Sequence, residues 1–576
     1  MQRFFPFLQW LPHYNKVWFS KDLVAGLTVG IILIPQGMAY AMIAGLPPVH
    51  GLYASLIPVL VYSFLGSSRQ LAVGPVAMDS LLVAAGLGTL AISGIENYIS
   101  TALFLAFFVG AIQLVLGLFR MGFLVNFLSR PVISGFTSGA VLIIIFSQLK
   151  HLLGTDIERS GQFHHLVINA FEKIQDTNPF DLAIGLVGIL IIVATKKWNR
   201  KIPGILIAVV LGILAVFLLK LESYGVHIVG NIPKGLPSFE VPDFSVKNIT
   251  SLWPMALTLA LVGYLEAVSI GKSVQDKTGV ETIDNDQELI ALGGSNMVGS
   301  FFQAFPVTAS FSRSAINFES GARTNLAAVI SVMMVVLALV FLTPLFYYLP
   351  NAILASIIMV SVFSLIDVGY AKSLWKYRKD EFFVLLVTFL ATLFVGITQG
   401  ILLGVLFSLL LMVYRTSKPH FAVLGNVKGS DHYRNIDRFE DEILTRDDLL
   451  IVRFDAQLYF GNAAYFKKQL FKYVQTQETS LKGIILNAEA INYIDSTAAQ
   501  MLIKVIHEVH RRGIQFYIAG AIGPTRDIIF SSGIINALDR EFLFAQTKEA
   551  VAYFDDPNSV SVVGSKVAYQ NKIRKD

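Results

Sequence analysis

Apolar positions in this chain gather in long blocks rather than in stripes. From about Asp22 to Tyr414 the blocks follow one another, most of them separated by short stretches and two by long loops near 150–180 and 221–250. Clear ones lie near 22–44, 51–66, 76–93, 101–119, 132–149, 181–195, 203–220, 252–271, 324–342, 352–367, 381–397 and 398–414. Two weaker ones, near 287–303 and 307–318, hold more polar residues and glycine. An apolar run of about 18 residues or more is a candidate membrane-spanning helix, so the pattern predicts about fourteen segments. Several are too short to span alone, as expected where helices break inside a bilayer around a cavity. After Tyr414 the pattern changes. Residues 415–446 read as a polar linker. Beyond it, Leu449–Phe454, Leu481–Asn487 and Ile514–Ala519 read as strands. Thr497–Arg511 reads as an amphipathic helix, Thr547–Phe554 as a short last one, and Asn462 as the cap of a helix reaching about Gln475. The expected organisation is a cytoplasmic N-terminal segment (1–21), a membrane domain (22–414), a linker (415–446), a small α/β domain (447–556) and a basic tail (557–576).

Composition sharpens this picture. Of 576 residues, 54% are hydrophobic and 15% charged, against about 25% charged in ordinary soluble domains. That excludes a typical soluble enzyme and a disordered scaffold. The chain has no cysteine, which excludes disulfides, Cys-ligated zinc, iron–sulfur clusters and thiol catalysis. Met1–Ser20 lacks the short apolar core and small-residue cleavage site of a signal peptide.

The net charge of +5 has a membrane explanation that needs no nucleic acid. An even number of segments puts both termini on one side. Loops after even-numbered segments share that side, and they hold Arg69; Arg120 and Arg130; Lys196, Lys197, Arg200 and Lys201; Lys272 and Lys277; and Lys372, Lys376, Arg378 and Lys379. Short opposite loops such as Gly45–His50 and Gly396–Gly400 hold neither Lys nor Arg. Excess Lys and Arg mark the cytoplasmic side, so both termini are expected there.

Two polar features repeat along the apolar region. Gly74-Pro75-Val76-Ala77 and Phe305-Pro306-Val307-Thr308-Ala309 have prolines 306 − 75 = 231 positions apart. Gln36 and Glu266, lone polar residues in apolar runs, are 266 − 36 = 230 apart. The spacing predicts two seven-segment repeats, inverted because seven is odd; coincidence among Gly/Pro-rich helices is the competing reading. Each proline can start a helix. Two helices starting near the midplane would face each other with open N–H groups and positive dipole ends, an anion site. Thr308, Ser310 and Ser312 add hydroxyl donors and Arg313 a fixed positive charge, unless Arg313 snorkels to the cytoplasmic edge. Glu266 is a candidate proton carrier, because a low-dielectric site disfavours the charged carboxylate. Its alternative is a packing hydrogen bond to a neighbouring hydroxyl or amide. Asp79, one turn after Pro75, is held protonated, pairs with Arg313, or turns away into packing. His164-His165 and His507/His510 lack acidic partners at metal spacing and read as surface residues, so no metal and no cofactor are expected. No phosphate loop, zinc motif or nucleophile–His–acid pattern is present, which argues against an enzyme and an ATP-driven pump.

These residues carry a resemblance. The chain resembles the sulfate permease (SulP) family of anion transporters through Ile34–Ala41, Gly74–Ala77, Asp286–Gly293 with Ser295-Asn296, and Phe311–Asn317 leading to Gly321-Ala322-Arg323-Thr324. Leu481–Thr497, ending in Ile494-Asp495-Ser496-Thr497, resembles a STAS domain. The resemblance implies fourteen segments in core and gate domains, a homodimer in the lipid bilayer, and an elevator-like alternation of access. It implies an anion held near Pro75, Val76, Ala77 and Met78 and near Thr308, Ala309, Ser310, Phe311, Ser312 and Arg313. Gln36 and Glu266 match positions that line the family's site, and an acid at the latter suggests proton coupling. Asp79 stands where an apolar residue is expected, and Ala309 where glycine is usual. Ser496 matches a serine that is phosphorylated in related domains; its alternative is a plain helix cap. The expected function is secondary active transport of a small inorganic oxyanion, sulfate first, by proton symport in the plasma (inner) membrane. Sodium-coupled bicarbonate uptake comes next, then dicarboxylate transport or anion exchange. An anion sensor signalling through the STAS domain is the reading outside transport.

Overall fold

A computed structural model describes residues 5–558 except 89, 91, 128, 158–162, 200–202, 279–282, 439–442 and 477–479. Arg200 and Lys201 of the basic loops, and all but the first two residues of the expected tail, lie outside the described residues. The chain forms two compact units, Met1–Ser408 and Leu409–Asp576.

The first unit is helical. Its fourteen segments, the last running on into the second unit, are Lys16–Ala44; Pro48–Tyr53 with Ile57–Leu65; Ala77–Gly88; Ile95–Leu118; Arg130–Ser147; Pro179–Trp198; Gly204–Leu219; Val246–Thr278; Asn285–Ser300; Phe311–Glu319; Leu326–Leu337; Asn351–Phe363; Lys379–Phe394; and Ile397–Ser417. Nine spans among the described residues are long and apolar enough to cross a membrane. The first helix begins six residues before the apolar block, because the Asn15 side chain accepts from the Trp18 N–H and caps it there. Segments 3 and 10 are half-helices of 12 and 9 residues. At about 1.5 Å per residue neither spans a hydrocarbon core of about 30 Å.

A two-residue strand precedes each half-helix. Val73–Gly74 (β1) pairs antiparallel with Thr308–Ala309 (β2), with Val73 opposite Ala309 and Gly74 opposite Thr308. Antiparallel pairing is what inverted repeats require of equivalent chain stretches. The prolines that pointed to the repeat are not equivalent, however: Pro75 follows its strand, whereas Pro306 precedes its own. Pro306 therefore does not start segment 10, which begins at Phe311 behind Ser310.

Small residues let the long helices close together. A Cβ on Gly293 would meet Leu114 N at 2.6 Å and the Gly110 carbonyl at 2.8 Å, so segments 4 and 9 touch backbone to backbone. Buried polar ties join other segments. Glu288 accepts from Tyr62 Oη (2.9 Å), Ser67 N (2.9 Å), Ser67 Oγ (2.6 Å) and Ser68 N (3.1 Å). Asp22 accepts from Arg323 N (2.6 Å), Thr324 N (3.1 Å), Thr324 Oγ1 (2.6 Å) and Tyr14 Oη (3.3 Å).

The second unit is a mixed sheet of Phe421–Val427 (β3), Tyr433–Asn435 (β4), Ile443–Leu444 (β5), Leu449–Phe454 (β6), Gly483–Asn487 (β7), Gln515–Ala519 (β8) and Leu543–Phe544 (β9). Its order is β4-β3-β6-β7-β8-β9, with β5 also on β3. The last four strands run parallel, and β3 is antiparallel to β6. Alternate residues enter two cores, Leu450, Val452 and Phe454 on one face and Leu449 and Ile451 on the other. The stretch read as a linker, 415–446, thus supplies three strands. Ala422, Leu424 and Asn435 are buried there, too few positions to stand out in the sequence.

Candidate functional site

The strand pair sets the two half-helices head to head. Ser310 N donates to the Ala72 carbonyl (2.9 Å) and Ala72 N to Ser314 Oγ (2.9 Å), which ties segment 10 to the approach of segment 3. Asn296 holds β2 from behind: its Oδ1 accepts from Val307 N (2.8 Å) and its Nδ2 donates to Val307 O (3.1 Å). It also donates to Gln113 Oε1 (3.1 Å), and Gln113 donates to Ala260 O (3.1 Å). The first N–H groups of a helix lack intrahelical partners. Here those of Ala77 and Met78, and of Phe311 and Ser312, begin the two half-helices. The Arg313 N–H is taken by Ser310 Oγ at 3.4 Å, so Ser310 is the cap of segment 10.

Arg313 is fully sealed, at 0% exposure. Snorkelling is therefore not its arrangement. Its Nη2 donates to the Pro75 carbonyl (2.9 Å) and its Nη1 to Gln36 Oε1 (3.4 Å), while Nε has no hydrogen-bond partner. One guanidinium thus links segments 1, 3 and 10. Gly74, with φ +145°, is part of this fit: a Cβ there would stand 3.3 Å from Arg313 Nη2. Val76, Ala77, Met78 and Ala309 are buried around the same point. Phe311 is 51% exposed and Ser312 half-buried, whereas Ser310 is buried. Thr308 departs from expectation. Its hydroxyl donates to the Gly263 carbonyl of segment 8 (2.6 Å), which takes that proton away from an anion.

The carboxyl groups lie on the same flank. Asp79 does not pair with Arg313 among the described residues. Its Oδ2 faces segment 8, 3.2 Å from where a Cβ on Gly263 would stand, and its Oδ1 has no hydrogen-bond partner. Glu266, three residues after Gly263, shares that helix face. It is half-buried, without a hydrogen bond or ion pair among the described residues, so the packing bond open to it in the sequence is not made.

In the second unit the helix Ser496–Arg511 is capped by Asp495, whose side chain accepts from Ala498 N (2.7 Å) and Phe460 N (2.8 Å). Ser496 is therefore the first helical residue, exposed, and not the cap. Asn462 likewise does not cap its helix with its side chain, which turns back to accept from Tyr459 N (3.0 Å). His165 and His507 are exposed, but His164 and His510 are half-buried. No group of three potential metal ligands occurs among the described residues.

Sequence reasoning missed Gly263, Gln113 and Asn296. Gln113 is a lone polar residue in an apolar run, the same signal that singled out Gln36 and Glu266, and Asn296 stands in a stretch already noted for its resemblance. Gly263 carries no such signal, because its role is to leave room for Asp79 and Thr308.

Inverted halves, broken helices and a sealed arginine at their meeting point define a membrane transporter. The particular family follows from comparison with known proteins. The sulfate permease family model matches residues 19–388, and the STAS domain model matches residues 442–550. The chain is 38% identical over 573 residues to the chloroplastic sulfate transporter 4.1 of Arabidopsis thaliana, covering 95% of this chain and 82% of that one. It is 34% identical over 542 residues to a probable sulfate transporter of Mycobacterium tuberculosis, covering 94% and 96%. The solved structure of the murine Slc26a9 anion transporter matches with a TM-score of 0.88 at 27% identity, over 96% of this chain and 94% of that one. The transmembrane domain of a cyanobacterial bicarbonate transporter matches at 0.60 and 22% identity, over 69% and 98%, a likeness of fold alone. The chain belongs to the sulfate permease family, a family of transporters rather than enzymes, and carries a C-terminal STAS domain.

Proposed function

We propose that the protein is a secondary active transporter of sulfate, driven by proton symport through an elevator-like alternation of access. The observation that carries the reading is the head-to-head meeting of two half-helix N-termini over buried Arg313. Open N–H groups, two positive dipole ends and one fixed cation favour a small anion. The printed names of the relatives in Arabidopsis and Mycobacterium support sulfate over other oxyanions. Pro75 to Met78 and Ala309 to Arg313, with Gln36, form the binding site. Thr308 supports it by fixing β2 to segment 8. Glu266 carries the coupling proton, since it stands beside the site with no bonded partner among the described residues. The transporter works as a homodimer in the plasma (inner) membrane, with its termini and STAS domain in the cytoplasm, the side marked by the basic loops. Ser496, exposed and free of capping duty, is placed for regulatory phosphorylation.

The test is uptake of labelled sulfate into liposomes holding only this protein. An inward proton gradient should drive sulfate above equilibrium. No uptake by folded protein would contradict the reading, and bicarbonate with a sodium gradient would take its place.

A further inference from the structure

Four carboxyl groups are fully buried among the described residues of the membrane unit: Asp22, Asp79, Asp181 and Glu288. Three are answered. Asp22 and Glu288 accept the bonds given above, and Asp181 accepts from the His227 backbone N–H (3.3 Å) and meets His227 Nδ1 at 3.0 Å. Asp79 alone has no hydrogen bond and no ion pair, although it is 2% exposed. The Thr308 hydroxyl, on the same side of Gly263, donates to the Gly263 carbonyl, and the Arg313 Nη groups donate to Pro75 and Gln36 rather than to Asp79. A buried carboxylate with no partner is strongly disfavoured, and the simplest partner is a proton. Glu266 lies within electrostatic reach of Asp79, so ionising both adds mutual repulsion.

Position makes the point sharper. Asp79 is in the first turn of segment 3, where a carboxylate would cancel the positive helix end that an anion needs. Counting Arg313, the empty site carries −1 with both carboxyls ionised and +1 with both protonated. A sulfate dianion would lower those totals to −3 and −1. We propose that Asp79 is a second proton-carrying carboxyl, so that each sulfate crosses with two protons, one on Glu266 and one on Asp79. Each proton binds a carboxylate oxygen on the side of higher proton activity and leaves it on the other; no bond to sulfate forms. The proposal rests on the proton-symport reading above and adds the number of protons and their second carrier.

The test is the equilibrium distribution of labelled sulfate across liposomes holding the full chain, with the voltage clamped to zero by potassium and valinomycin. Two protons predict a change of about 100-fold in the sulfate ratio per unit of imposed pH difference, and one proton about tenfold. Two protons also make transport electroneutral, so the wild-type ratio should ignore an imposed voltage. Asp79→Asn should fall to the tenfold slope and become voltage-sensitive. Asp79→Glu, which keeps a carboxyl, should retain the hundredfold slope. A tenfold wild-type slope, an Asp79→Asn protein that keeps the hundredfold slope, or loss of that slope in Asp79→Glu would overturn the second carrier and leave proton symport standing. A wild-type ratio indifferent to pH, or accumulation driven by sodium at equal pH, would overturn both.

Discussion

A guanidinium cut off from water needs acceptors, and Arg313 finds them on two other segments, in the Pro75 carbonyl and the Gln36 amide. A hydrogen bond to a charged group is worth about 1.5–3 kcal/mol, or about 10–100-fold in affinity. Arg313→Gln should therefore raise the KM for sulfate by at least that factor, measured as initial uptake; an unchanged KM would contradict its place in the site. In the second unit, Asp495 closes the first helical turn and Ser496 does not. Asp495→Ala should destabilise that helix by about 1 kcal/mol, while Ser496→Ala should leave it within about 0.5 kcal/mol of wild type. Thermal unfolding of the two variants compares them directly, and equal losses would refute the assignment of the cap. Much of the site was legible residue by residue, because a lone Gln, Glu or Arg in an apolar run is conspicuous. What a side chain bonds to was not legible: Thr308 turns its hydroxyl to Gly263, and Asp79 turns away from Arg313, through packing that only the fold creates.

At the level of elements, the broken helices were visible as short, Gly/Pro-bearing runs, and their pairing came from spacing. The prolines gave a spacing close to the real one yet marked different places, one after β1 and one before β2. Strands of two residues leave no periodicity to read, so the true equivalence emerges only from the register of Val73 with Ala309. Strands of three and two residues, β4 and β5, likewise hid in an apparently polar linker. The joint between β6 and the last helix, Thr547–Asp555, makes a pH prediction. Arg446 bridges Asp448 (2.9 Å) and Asp555 (2.6 Å), and its hydrogen bond to Asp448 holds that carboxyl below the usual carboxylate range, against a smaller opposing effect of burial. A carboxyl with a lowered folded value stabilises fully above its unfolded value of about 3.9, and the contribution is lost as pH falls through the folded value. Both groups are partly exposed, so the link is worth about 0.2–1 kcal/mol. Hydrogen exchange over Leu449–Phe454 and Thr547–Asp555 should be faster in Arg446→Gln than in wild type at pH 7. The gap should close as pH falls below about 4; a gap independent of pH would rule out the linkage.

For the whole molecule, blocks of apolar sequence and the placement of Lys and Arg were enough to predict fourteen segments, and the described helices match each block in turn. Neither substrate nor coupling ion can be read from such blocks, because they depend on a few partners brought together from segments 1, 3, 8 and 10. On the proposed reading, Glu266, without a bonded partner among the described residues, helps turn a proton gradient into sulfate accumulation. If so, removing its carboxyl should weaken the coupling without destroying the path for the anion. The decisive measurement compares wild type and Glu266→Gln in liposomes in two modes: accumulation of labelled sulfate under an inward proton gradient, and sulfate–sulfate exchange at equal pH. The account predicts that accumulation falls sharply in the variant, to no more than the about tenfold slope that Asp79 can supply, while sulfate exchange persists. A Glu266→Gln protein that accumulates sulfate as wild type does would contradict it.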